Sequence, residues 1–174
     1  MSIEIKLPVL GFAAFSGTGK TTLLVELISH LQQSGYRIGV VKQSHHDIEI
    51  DQSGKDSYKL RKAGATQTIL CTPHRQVLIK ESGHIIEPEL NEVLQSFDHD
   101  QLDIILVEGF KHTAFSKIEL QRKALDKPLL YPDDDTIVAV ATDELNQQHP
   151  IPVLDINDIE SIIDFIQTNY LTKE

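Results

Sequence analysis

An apolar run, LPVLGFAAF, breaks at residues 16–19 into a glycine-rich turn and continues at once as TTLLVELISHLQQ, where Leu23, Leu24, Leu27, Ile28 and Leu31 recur at helical spacing. No other feature of the 174-residue chain restricts its fold as much. Strand, glycine turn and helix follow in that order, with AFSGTGKT across the junction from Ala14 to Thr21. That is the context of a phosphate cradle of the form Gly, four residues, Gly-Lys-Ser/Thr. One position departs, since Ala14 stands where the first glycine is usual. Gly17 and Gly19 allow the backbone to turn its N–H groups inward, Lys20 can reach β- and γ-phosphates, and the Thr21 hydroxyl can bind Mg2+. The positive end of the helix dipole favours the same anion. The cradle alone separates neither ATP from GTP nor a kinase from a switch.

Gly35 supplies a helix stop, and a second strand, YRIGVVK, leads into the polar loop QSHHDIEIDQSGKDS. A short helical stretch follows through Arg61 to Gly64, and TQTILC reads as a third strand. QVLIKE and HIIE flank Ser82-Gly83 and read as an inserted hairpin, whereas PELNEVLQSF has the proline start of a helix. LDIILV is continuously apolar, as in a strand buried on both faces of a parallel sheet, and it ends at Glu108. Strands are expected at TIVAVAT and PVLDI, and a closing helix over NDIESIIDFIQTNYL with Asn157 and Glu160 as N-cap and capping box. This alternation predicts an α/β fold, a P-loop NTPase three-layer sandwich with a mostly parallel sheet and a β-hairpin insertion. The totals suit one domain over residues 1–174, with ligands gathering at the carboxyl ends of the strands.

A net charge of −10 opposes the basic surface that carries nonspecific nucleic-acid binding, so phosphate must be held locally. No run of about 18 apolar residues occurs, and MSIEIKLPVLGF lacks the basic start and cleavage site of a signal peptide. Neither membrane spanning nor export is expected. The single Cys71 has no partner for a disulfide or a Cys-x-x-Cys zinc site, which fits a reducing, cytoplasmic setting.

A cradle of this kind needs a carboxylate at the end of a neighbouring buried strand, to hold Mg2+ through water or to orient the attacking water. Glu108 suits that role because it directly follows four apolar residues and precedes Gly109, which lets the chain turn close to phosphate. Asp103, at the start of the same strand, belongs to the far end and reads as structural. Residues 42–57 hold further candidates. Asp47 and Asp51 are spaced to approach Mg2+, and Lys42 and Lys55 to neutralise phosphate, as in a region that senses the γ-phosphate. The adjacent His45 and His46 hint at a transition-metal site, but neighbouring histidines do not easily face one ion and no cysteine cluster supports them.

FAAFSGTGKTTLL, VVKQSHHDIEIDQSGKDSYKLRKAGATQTIL, LDIILVEGFKH and LDINDIESIIDFI, in that order, span nearly the whole chain. Together they resemble the MobB family of molybdopterin-guanine dinucleotide biosynthesis adapters, with the second and third segments the specific ones. The resemblance implies a small homodimeric α/β NTPase of the SIMIBI group that binds GTP with Mg2+ and hydrolyses it weakly. It also implies a partner, the molybdopterin guanylyltransferase (MobA-like) that joins GMP to molybdopterin, with molybdopterin itself a further candidate ligand. Carried over by position, it assigns phosphate contacts to Gly17, Thr18, Gly19, Lys20, Thr21 and Thr22, and the Walker B acid to Glu108. Asp47 falls in the family's HHD segment, so Asp47 and Glu108 are the candidates for positioning water, and Thr21, Asp47 and Glu108 for the metal. Gln43 and Ser53 depart from the pattern, where histidine and proline are usual.

Base choice is expected to rest on ATDEL. There Asp143 could accept from guanine N1 and N2, a pattern adenine cannot satisfy, although a turn acid with no ligand fits the same residues. The aspartate run in KPLLYPDDDT reads as a solvated turn. No glutamine follows Glu108 in EGFKH and no lysine stands at position 15, so the usual accelerating residues are not evident and slow turnover is expected. The rival reading is a P-loop small-molecule kinase using ATP, which would close an arginine-rich lid. The four arginines, Arg37, Arg61, Arg75 and Arg122, form no cluster in the sequence. A nickel-insertion GTPase would call for a histidine-rich tract or paired cysteines, and a module without nucleotide would leave the Gly-Lys-Thr turn purposeless.

Overall fold

The computed structural model describes residues 7–44, 48–84 and 86–171. In chain order the elements are β1 (Val9–Ala14), α1 (Lys20–Gln33), β2 (Ile38–Lys42), α2 (Asp56–Lys62), β3 (Gln67–Thr72), β4 (Arg75–Lys80), α3 (Leu90–Leu94), β5 (Ile104–Glu108), β6 (Lys117–Gln121), β7 (Ile137–Thr142), β8 (Val153–Asp155) and α4 (Ile159–Tyr170). Two compact units are present, one of Met1–Gln43 with Leu90–Glu174 and one of Ser44–Glu89.

The larger unit is built on a six-stranded sheet of order β2-β5-β1-β6-β7-β8 in which every neighbouring pair is parallel. Successive side chains of a strand point to opposite faces, and β5 shows the result. Ile104 and Leu106 join Leu10 and Phe12 against Leu27 and Leu31 of α1 and Ile162 and Ile166 of α4. Ile105 and Val107 face the other way, toward Val41, Phe110 and Leu90 and Leu94 of α3. Helices therefore cover both faces of the sheet, which makes the expected three layers and explains why LDIILV is continuously apolar. Among the described residues no helix is long and apolar enough to cross a membrane.

Nothing in the expected pattern corresponds to β6, which lies in the middle of the sheet between β1 and β7. Ile118 and Leu120 pack with α1 and α4, whereas Lys117 and Glu119 point to the opposite face and are buried there too, at 2% and 1% exposure. Lys117 Nζ donates to Asp134 Oδ2 at 3.1 Å and to Thr136 Oγ1 at 2.5 Å, above the Phe115 ring. Glu119 accepts from Leu130 N and Tyr131 N. Charges at alternate positions imitate a solvent-facing segment, and only the folded chain brings in their partners. Those partners come from KPLLYPDDDT, so Asp134 is an anchor for Lys117 rather than part of a fully solvated turn.

The N-cap of α4 is Asp158, not Asn157. The Asp158 carboxylate accepts from Glu160 N at 3.2 Å, meeting one of the N–H groups that a helix start leaves without a partner. The Asn157 side chain is taken by Arg122 instead.

In the smaller unit β3 and β4 pair antiparallel from Gln67↔Lys80 to Thr72↔Arg75. A hairpin insertion is present, but TQTILC is its first strand rather than a strand of the main sheet. Between Lys80 and Leu90 the described residues form no strand, and Arg75–Lys80 pairs with Gln67–Thr72 rather than with HIIE. The Thr72 hydroxyl accounts for the turn, since it donates to Arg75 O and accepts from His74 N and so closes Pro73 and His74 without a glycine. α2 buries Arg61 between the carboxylates of Glu49 and Glu81, with the Tyr58 ring alongside. Asp51 is buried as well, accepting from Ser57 Oγ at 2.9 Å.

Candidate functional site

Ala14 is the last residue of β1 and keeps strand geometry, so the methyl that replaces the usual glycine meets no conformational obstacle. Gly17 and Gly19 follow at φ 86° and 91°, the left-handed region where a side chain is strained. Between them Thr18 is 3% exposed and donates from Oγ1 to Phe15 O at 2.7 Å, which pins the turn from inside. α1 starts at Lys20 with no side-chain cap. Leu23 N bonds back to Gly19 O at 3.0 Å, so the N–H groups of Lys20, Thr21 and Thr22 are those a helix start leaves for a ligand. Residues 14–22 and Glu108 line an open cleft of about 550 Å3.

Glu108 reaches this cleft through sheet register, because β1, β5 and β2 align Phe12, Glu108 and Lys42 in one row. Lys20 Nζ lies 3.2 Å from Glu108 Oε1, and Lys42 Nζ lies 2.9 Å from Oε2. Partial burial pushes the carboxyl pKa up. The hydrogen bond from Lys42 and the charge of Lys20 outweigh it and hold Glu108 below the ordinary glutamate range. The result is an ionised carboxylate clasped by two ammonium groups, one of them the cradle lysine.

The chain leaves β5 through Gly109 at φ 112° and Phe110 at φ 53°. A Cβ on Gly109 would stand 2.5 Å from that of Gln43, so the turn demands glycine. Gln43 closes it from the other side: its N–H donates to Glu108 O at 2.8 Å and its Oε1 accepts from Phe110 N at 2.7 Å. The departure from histidine at position 43 thus comes with an amide that fits the turn. Sequence reasoning held no signal for this clasp, nor for the pairing of Lys42 with Glu108, since both depend on the register of β2 with β5.

Asp103 lies at the opposite end of β5, gripped by the Arg37 guanidinium and accepting from Arg37 N at 2.7 Å. Its structural role is evident. Asp51 belongs to the smaller unit, and His45, His46 and Asp47 lie outside the described residues. Among the described residues no three His, Cys, Asp or Glu side chains converge as a metal site. Asp143 follows β7 at the same edge of the sheet as the cradle, where the register aligns Ala14, Leu120 and Ala141. Its Oδ1 accepts from Lys123 N at 2.9 Å. Two residues further on, Leu125 comes within 3.8 Å of the place a Gly17 Cβ would occupy, so one short segment runs from Asp143 to the cradle.

A family model described as molybdopterin guanine dinucleotide synthesis protein B (MobB) matches residues 9–143, from the first residue of β1 through Asp143. The chain is 46% identical over 168 residues to the molybdopterin-guanine dinucleotide biosynthesis adapter protein of Escherichia coli (strain K12), covering 95% of each. It is 40% identical over 167 residues to the protein of the same description from Haemophilus influenzae, covering 93% of this chain and 89% of that protein. Among solved structures, Bacillus subtilis MobB superposes with a TM-score of 0.73 at 20% identity, over 97% of this chain and 100% of that one. A MobB homolog from Bacillus stearothermophilus gives 0.68 at 22% identity, over 95% and 99%. At such identities the structures speak for the fold, whereas the family model and the two relatives speak for descent: the chain belongs to the MobB family.

Proposed function

We propose that this protein is a cytoplasmic GTP-binding adapter with weak GTPase activity, assisting the molybdopterin guanylyltransferase that forms molybdopterin guanine dinucleotide. The relatives' description as biosynthesis adapters supports the pathway and the need for a partner enzyme. Nucleotide binding is carried by one observation: a left-handed glycine turn opens onto the start of α1, with Lys20 3.2 Å from an ionised Glu108. An incoming triphosphate offers Lys20 a more highly charged partner, and Glu108 keeps Lys42. The residues also fit Mg2+, a hard cation that takes oxygen ligands. The Thr21 hydroxyl would bind it directly and Glu108 through water, with Asp47 the second candidate acid, and the ion would neutralise phosphate charge.

The assignment of GTP rests on Asp143. Neighbouring strands are about 4.8 Å apart, so the end of β7 stands roughly 10 Å from the end of β1, a gap that a ribose and its α-phosphate can bridge. A homodimer completes the proposal, supported by Ile69 and Leu78, which the hairpin leaves exposed at 62% and 48%. The test is to titrate the purified protein with GTP and ATP in Mg2+, then add it to a guanylyltransferase assay. We expect GTP to bind more tightly, turnover of the isolated protein below about 1 s⁻¹, and faster dinucleotide formation. A preference for ATP would sink the GTP assignment and favour a kinase.

A further inference from the structure

Three consecutive turns at the carboxyl edge meet on one guanidinium. Arg122 directly follows β6, Asp143 follows β7, and Asn157 lies between β8 and α4. Nη1 of Arg122 is 3.6 Å from Asp143 Oδ2 and donates to Asn157 Oδ1 at 2.5 Å, while the Lys123 N–H holds Asp143 Oδ1. The side chains of Arg122 and Asp143 are 32% and 27% exposed, so a ligand can reach both.

Guanine carries N1–H and an amine at C2, so its reading edge is itself a guanidine unit that presents parallel N–H groups to a carboxylate. A guanine brought to Asp143 asks for the oxygen that Arg122 already faces. We propose that Arg122 tunes guanine affinity by competing with the base for Asp143, acting as an internal stand-in for the N1–H and N2–H edge. The inference rests on the reading of Asp143 as the base acceptor. A guanine nucleotide replaces the arginine, which remains on Asn157, and the Lys123 N–H keeps the carboxylate oriented during the exchange. Adenine has an unprotonated N1 and no amine at C2, so it cannot replace Arg122 and leaves the pair intact. Arg122 thus lowers guanine affinity by the strength of the pair that guanine must break, and leaves adenine affinity untouched.

The experiment compares the full-length protein with Arg122→Ala, Arg122→Lys, Asp143→Ala and the Arg122→Ala/Asp143→Ala double variant. Each is titrated with GDP, GTP and ADP in Mg2+ by calorimetry, and thermal melting monitors folding. Arg122→Ala should bind the guanine nucleotides about 2- to 5-fold more tightly, the value of a partly exposed ion pair. ADP affinity should not change, Arg122→Lys should stay near the parent, and the gain should vanish in the double variant. Weaker or unchanged guanine binding in an Arg122→Ala protein of normal melting temperature overturns the competition. If Asp143→Ala keeps the full preference for GDP over ADP, the base assignment itself fails. That ratio is read without reference to Arg122, so the two failures are distinct.

Discussion

Glu108 on β5 and Glu119 on β6 flank β1 from opposite sides, and their surroundings treat the same side chain in opposite ways. Glu108 faces two ammonium groups that hold its pKa down against partial burial. Glu119 is 1% exposed and is met by the N–H groups of Leu130 and Tyr131; burial outweighs them and raises its pKa. Charge met by mobile charge can be exchanged for another anion, as a binding site requires. Charge met by backbone dipoles fastens a loop and stays. The difference separates the working half of the sheet edge from the half that supports it.

The largest effect should come from the supporting side. Lys117→Ala strips the buried partner from Asp134, and because Asp134 keeps Thr136 and some water, a loss of about 3 kcal/mol is expected in urea unfolding. The nucleotide affinity of the folded variant should be unchanged, and an altered affinity would break the division between the two sides. Lys20→Ala should do the reverse, weakening GTP binding on the order of 100-fold, or about 2.7 kcal/mol. Its unfolding midpoint should hardly move, because Glu108 keeps Lys42. Glu119→Gln preserves shape but leaves one good acceptor for two N–H donors, so a stability loss of about 1–2 kcal/mol is expected with no change in binding.

The smallest effects are in pH dependence, and their signs differ. The folded pKa of Glu108 lies below its ordinary value of 4.5, so its contribution is present above that value and lost as pH falls through the folded pKa. The folded pKa of Glu119 lies above 4.5, so its contribution is full below that value and lost as pH rises through the folded pKa. Denaturation from pH 3 to 7 should show Glu108→Gln removing a rise in stability just below pH 4.5 and Glu119→Gln removing a fall just above it. Equal slopes in both variants would erase the contrast.

The two regions were also unequally legible in the chain. The cradle is contiguous, and its glycines, lysine and flanking periods all point to one local structure, so it is readable without knowledge of the sheet. Glu108 is readable because an apolar run stops at it. β6 is not, since Lys117 and Glu119 look like surface residues until Asp134, Thr136 and the Leu130 and Tyr131 amides are brought to them. The hairpin was legible in kind but not in place: Ser82-Gly83 is the stronger turn signal, yet the Thr72 hydroxyl makes the tighter turn at Pro73 and His74. Arg122 carried no signal at all, because its meaning depends on three turns converging.

The strand order also bears on how the protein is made. β1 is synthesised well before its neighbours in the sheet, β5 and β6, which follow it only after β2, the hairpin and three helices. At roughly 5–20 residues per second, β1 waits on the order of 5–20 s for either of them. Such long-range parallel pairing is intrinsically slow, and the apolar VLGFAA segment is without its sheet partners in the interval. A nascent chain that stops short of Ile104 contains every residue of the glycine loop and has no sheet to hold it.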